Sequence, residues 1–130
     1  MSLYVNALMV FIGGAAGAGV RFTLGELLKT SPLPGWGAIF VANLIGSLLI
    51  GFITAVNLAP FPHNNDLSFV TLIQPLIAIG FCGGLTTYST FSMDTVFLWL
   101  EQKYVQAIAN TLGSISLCLI AVWFGMQLAS

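Results

Sequence analysis

Four apolar stretches separated by polar ones run along the chain, and each is long enough to supply the roughly 20 residues that a spanning helix needs. The first covers about Leu3 to Leu24, with Arg21, Glu26 and Lys29 near its end. Thr30-Ser31-Pro32-Leu33-Pro34-Gly35 follows, and its prolines and glycine read as a turn. Trp36 to Leu58 carries no charge, and Trp36 suits the aromatic belt at a membrane surface. Pro60, Pro62, His63, Asn64, Asn65 and Asp66 make the long polar connection. Phe69 to Leu100 comes next, then Glu101, Gln102 and Lys103, then Tyr104 to Leu128. The pattern predicts an all-α membrane protein in which residues 1–130 form one unit of four transmembrane helices, with approximate spans 3–24, 36–58, 69–100 and 104–128.

The third stretch is about 32 residues, longer than one span requires. At its middle stands Gly80-Phe-Cys-Gly-Gly-Leu-Thr-Thr-Tyr-Ser-Thr-Phe91. Gly83 and Gly84 each weaken a helix by roughly 1 kcal/mol relative to alanine. We therefore expect a break near residues 83–86. Irregular backbone at membrane depth is tolerated only where it is buried in protein or lines a wet cavity. The break thus marks a candidate ion or substrate site.

Composition agrees with the lipid setting. Hydrophobic residues are 58% of the chain and charged residues 5%, against about a quarter charged in a soluble domain. The first stretch has no Lys or Arg before its apolar run, so it is expected to stay as a span and not to be cleaved as a leader. Cys82 and Cys118 show no metal-ligand spacing and are expected to pack. The single His63 lies in a loop and no nucleophile–base pair is close in sequence, so no enzyme is expected. The absence of a basic cluster argues against nucleic acid. Arg21, Lys29 and Lys103 fall on one face of a four-span topology, a faint positive-inside bias that permits insertion either way round.

The helix faces carry the candidate chemistry. Gly13 and Gly17 stand four apart beside Gly14 and Ala18, spacing that lets helix backbones approach closely. Asn43, Gly46, Ser47 and Ile50 share a face of the second span. Tyr88 and Phe91 project from one side if helix resumes after the break, with Thr87, Thr90 and Asp94 near a second side. Asn110, Ser114 and Cys118 recur at four-residue steps in the fourth span, with Thr111 and Ser116 nearby. An intramembrane carboxylate such as Asp94 is costly and functional by default, although Asp94 lies about two turns from Glu101.

Three blocks together resemble the signatures of the Fluc/CrcB fluoride channels: Gly13-Gly14-Ala15-Ala16-Gly17-Ala18-Gly19-Val20-Arg21-Phe22, Val41-Ala42-Asn43-Leu44-Ile45-Gly46-Ser47, and Gly80 through Ser92. They stand in the family's order over essentially the whole chain, and the third is the specific one. The resemblance implies a passive fluoride-selective channel that exports fluoride down its electrochemical gradient and relieves fluoride toxicity. It further implies a multi-pass protein of the cell inner (plasma) membrane, an antiparallel dual-topology homodimer, and a structural sodium ion at the dimer centre.

Residue by residue, Gly83 and Thr86 match positions whose backbone carbonyls hold the sodium. Tyr88 and Phe91 match two aromatics whose ring edges, the positive end of the quadrupole, face fluoride. Asn43 matches a pore amide, and Ser114, Asn110, Thr87, Thr90, Ser92 and Asp94 match a polar track. Arg21 matches a basic residue with a vestibule or structural role. Tyr88 replaces the usual Phe, Asp94 a Glu of some relatives, and Asn110 a common Tyr.

Two other classes fit four short helices. A proton-coupled exporter of the small-multidrug-resistance type needs a deep carboxylate, and only Glu26 and Asp94 are candidates. A non-transporting partner subunit would use the glycine faces but leave the polar ones idle.

Overall fold

The computed structural model describes residues 3–58 and 74–129. The loop expected around Pro60–Asp66, with His63, and the start of the third stretch at 69–73 lie outside the described residues. Helix α1 spans Leu3–Leu28 and α2 Gly37–Leu58. A π-helical segment, α3, covers Gln74–Phe81 and runs into a single turn, α4, at Cys82–Leu85. Helix α5 is Tyr88–Leu100 and α6 is Tyr104–Leu128. Taking residues 74–100 together, four helical stretches among the described residues are long and apolar enough to cross a membrane. The protein is a multi-pass membrane protein.

The turns follow from the residues that make them. At the end of α1, both the backbone N–H and the hydroxyl of Ser31 donate to the Leu28 carbonyl, at 3.1 and 2.7 Å. The sequence Pro32-Leu33-Pro34 then prevents further helix. At the end of α5, Gln102 N–H donates to Trp99 O at 3.0 Å and Lys103 N–H to Leu98 O at 2.8 Å. This is a Schellman closure, and Gln102 takes the left-handed conformation it requires, with φ 59°. Trp99 and Tyr104 meet edge to face across that turn at 4.8 Å.

Small residues decide how the helices meet. Gly13 and Gly17 are buried on α1, and a Cβ at either would strike the carbonyl oxygen of Leu76 or Phe81 respectively. The facing segment answers with its own glycines: a Cβ at Gly80 would lie 2.7 Å from Val10 O, and one at Gly84 would strike Gly14 O. Two four-residue glycine ladders thus interlock, the close approach that small residues permit between membrane helices. Helices α2 and α6 form the second tight pair, where Gly51 meets the Val122 carbonyl and Gly125 the Leu48 carbonyl. Among the described residues the buried apolar core of this single chain is thin, made of Ala42, Cys82, Leu85, Leu98, Ala107 and Ala121. Large apolar side chains such as Phe11, Phe22, Val105 and Leu119 face outward, as lipid allows and water would not.

Candidate functional site

Thr86 and Thr87 are extended, with φ/ψ of −83/155° and −153/126°, between the end of α4 and the start of α5. The glycines expected to interrupt the helix are themselves helical, and the extended residues lie just after them. β-Branched threonines suit extended backbone, and their hydroxyls supply the caps. The hydroxyl and the N–H of Thr86 both donate to Cys82 O, at 2.8 and 2.9 Å, closing α4. Thr87 Oγ1 accepts the Thr90 N–H at 3.3 Å and opens α5 as its N-cap.

Two side chains from elsewhere satisfy the remaining backbone groups. Asn43 on α2 accepts the Thr87 N–H at 2.8 Å and donates its Nδ2 to Thr87 O at 3.2 Å. In continuous helix that N–H would return to Gly83 O, so the Gly83 carbonyl is released from its ladder partner. Arg21 on α1 donates Nη1 to Thr86 O at 3.2 Å. Among the three Lys and Arg residues, Lys29 and Lys103 sit in exposed ion pairs with Glu26 and Glu101, at 2.5 and 2.7 Å. Arg21 is the one whose guanidinium serves a backbone carbonyl in mid-chain, where it also favours the negative C-terminal end of α4.

The extended pair forms one wall of an open groove of about 530 Å³. Asn43, Gly83, Thr86, Thr87, Tyr88, Phe91 and Ser114 all line it, together with Ser47 and Thr111. The rings of Tyr88 and Phe91 lie 5.8 Å apart at 44° to one another. Among the described residues, no carboxylate lines this groove. Its polar lining is neutral: amide, hydroxyl and backbone groups beside aromatic and aliphatic side chains.

The other residues singled out in sequence stand off the groove wall. Thr90 and Ser92 are partly buried on α5, where the Ser92 hydroxyl donates to Tyr88 O at 2.9 Å. Asp94 is also half-buried there. Asn110 is 2% exposed and lies behind the wall, where its Nδ2 donates to Thr95 Oγ1 at 2.9 Å and its Oδ1 accepts the Ser114 hydroxyl at 3.3 Å. Thr95 escaped the sequence reading, although it sits four residues after Phe91, on the same helical row. Cys82 and Cys118, expected only to pack, both line the groove as free thiols.

The sequence model described as CrcB-like protein, Camphor Resistance (CrcB), matches residues 8–126. The chain belongs to the CrcB family. Curated relatives agree over nearly the whole length. A protein of Shewanella frigidimarina named fluoride-specific ion channel FluC is 39% identical over 127 residues, which is 95% of this chain and 94% of that one. Its namesake in Klebsiella pneumoniae is 38% identical over 125 residues, 93% and 94% of the two chains. That of Pseudoalteromonas translucida is 35% identical over 124 residues, 92% and 96% of the two. All three blocks quoted from the sequence fall within the matched range and supply part of the groove lining, the extended pair and Arg21, while Thr111 and Ser114 of the lining come from α6.

Proposed function

We propose that this chain is the subunit of a passive fluoride channel, and that the groove beside Thr86 and Thr87 is part of the ion's path. The observation that carries the reading is the lining itself: neutral hydrogen-bond donors and two aromatic rings, with no carboxylate among the described residues, at an interruption in a membrane-spanning helix. The names of the relatives supply the ion. A small anion needs donors to replace its water, but a fixed cation in the path would hold it too tightly to leave. Hydroxyls, the second Nδ2 hydrogen of Asn43 and the positive ring edges of Tyr88 and Phe91 attract it without that trap. Thr90, Ser92 and Asp94 on α5 and Asn110 on α6, off the lining itself, complete the proposed polar track around it. Arg21, one residue's backbone away from the wall, adds a positive field without lining it.

In this reading the subunit pairs with a second copy in antiparallel, dual-topology fashion in the cell's inner membrane, and fluoride leaves down its electrochemical gradient. The open side of the groove and the 81% exposure of Tyr88 suit closure by such a partner. A structural sodium ion, a hard cation that takes oxygen ligands, fits the released Gly83 carbonyl. It also fits the Thr86 carbonyl, which keeps one lone pair beside its Arg21 bond. Two carbonyls are too few for a complete shell, so a dimer would supply the rest. The ion would hold the interrupted backbones together. A proton-coupled exporter would need a carboxylate in the groove, where none stands among the described residues.

Expression in a microbe stripped of its own fluoride efflux tests the proposal. With membrane insertion verified by immunoblot, growth in millimolar-range fluoride should be restored. Continued sensitivity, or equal rescue against bulky cationic toxins, would oppose it.

A further inference from the structure

We propose that Thr95 is a positioning residue of this pathway: through the Asn110 amide it sets the Ser114 hydroxyl that faces the groove. The inference rests on the fluoride-channel reading above. Thr95 has one hydroxyl proton, and it goes to the Phe91 carbonyl at 2.9 Å. Its oxygen is left only to accept, so the Asn110 group turned toward it must be Nδ2, at 2.9 Å. That choice turns Oδ1 toward Ser114, whose hydroxyl must then donate, at 3.3 Å. A helix carbonyl thus fixes the direction of three hydrogen bonds in series, running from Ser114 through Asn110 and Thr95 to Phe91.

Asn110 is 2% exposed and Ser114 6%, so the amide at the middle of the relay is buried, where leaving it unpaired is costly. The bond from Ser114 to Asn110 is the longest of the three and hence the weakest. Ser114 alone of the three relay side chains lines the groove. Its hydroxyl is therefore the link that turns to an arriving anion, while Thr95 keeps the amide anchored. Without the Thr95 oxygen, Ser114 becomes the amide's remaining side-chain partner among the described residues. The freed amide is then able to turn its Nδ2 toward Ser114, and the hydroxyl that faces the groove loses its set direction.

The test compares fluoride efflux from liposomes for the wild type, Thr95→Val, Thr95→Ser, Ser114→Ala and the Thr95→Val/Ser114→Ala pair. Thr95→Val should slow efflux on the order of fivefold, the scale of one lost hydrogen bond. Thr95→Ser, which keeps the hydroxyl, should stay within about twofold. In the Ser114→Ala background Thr95→Val should add no further loss, since coupled residues are non-additive. Thr95→Ala replaces Thr95→Val if the valine variant fails to assemble. Normal efflux by Thr95→Val, or the same fold loss with and without Ser114, would reduce Thr95 to a packing residue and overturn the inference while leaving the channel reading intact. Absence of wild-type fluoride efflux would overturn both.

Discussion

Asn43 and Thr87, 44 positions apart, are joined by both ends of one amide: Oδ1 takes the Thr87 N–H at 2.8 Å and Nδ2 gives to the Thr87 carbonyl at 3.2 Å. The side chain imitates the paired bonds of a neighbouring strand and so satisfies an extended residue that has no strand beside it. In lipid such groups cannot turn to water. The residue that a sequence reading assigns to the ion is thereby also the residue that pairs the extended backbone at Thr87.

Asn43→Ala should therefore cost stability as well as transport. Two backbone groups lose their partner, which predicts a loss of about 2 kcal/mol and a fall in fluoride flux of at least about tenfold. Thermal unfolding in detergent and efflux from liposomes measure the two. Full stability with reduced flux would show that the clasp is dispensable for folding.

The interlocked glycines separate two substitutions of the same chemistry. Gly17→Ala drives a methyl into the Phe81 carbonyl and should destabilise by about 2 kcal/mol. Gly19→Ala meets nothing within 4 Å and should be neutral or gain up to about 1 kcal/mol from helix propensity. Equal thermal midpoints for the pair would contradict the α1–α3–α4 packing.

Phe91→Ile keeps an apolar side chain but removes the ring edge. Fluoride flux should drop by about tenfold, equivalent to 1.4 kcal/mol, with the thermal midpoint nearly unchanged. Tyr88→Phe keeps the ring and should conduct at a rate within about threefold of the wild type, less than 1 kcal/mol. Wild-type flux through Phe91→Ile would remove the aromatic edge from the path.

Arg21→Gln tests the guanidinium on Thr86. A charge-assisted bond to a backbone carbonyl is worth about 1.5 to 3 kcal/mol. The variant should unfold earlier and conduct less, and Arg21→Lys should recover part of each loss. A Gln variant indistinguishable from wild type in both assays would leave Arg21 without a role at the interruption.

Much of this was legible in sequence because the bilayer imposes long, simple periods. Hydropathy sets the helices, and the four-residue spacing of Gly13 and Gly17 reports a close crossing before any partner is known. Of the partner ladder, Gly84 was visible only as a helix-weakening residue and Gly80 only as the start of the quoted block, because a glycine does not say whether it bends its own helix or admits another. Here they admit α1, and the extended backbone falls on Thr86 and Thr87, where side-chain caps replace ladder bonds. Asn43 announced itself as an amide at membrane depth, but its grip on Thr87 depends on a contact 44 residues away. Thr95 was silent because a threonine four residues after Phe91 reads as one satisfied by its own helix. It is so satisfied, and that bond is what turns its oxygen toward Asn110.

The central claim is that neutral donors and ring edges beside the Thr86–Thr87 interruption pass fluoride and refuse chloride. Purified protein in liposomes, with voltage clamped by a potassium ionophore, puts it to one trace on a fluoride electrode beside a chloride control. The account predicts rapid fluoride release with chloride retained; equal release of both halides, or of neither, contradicts it.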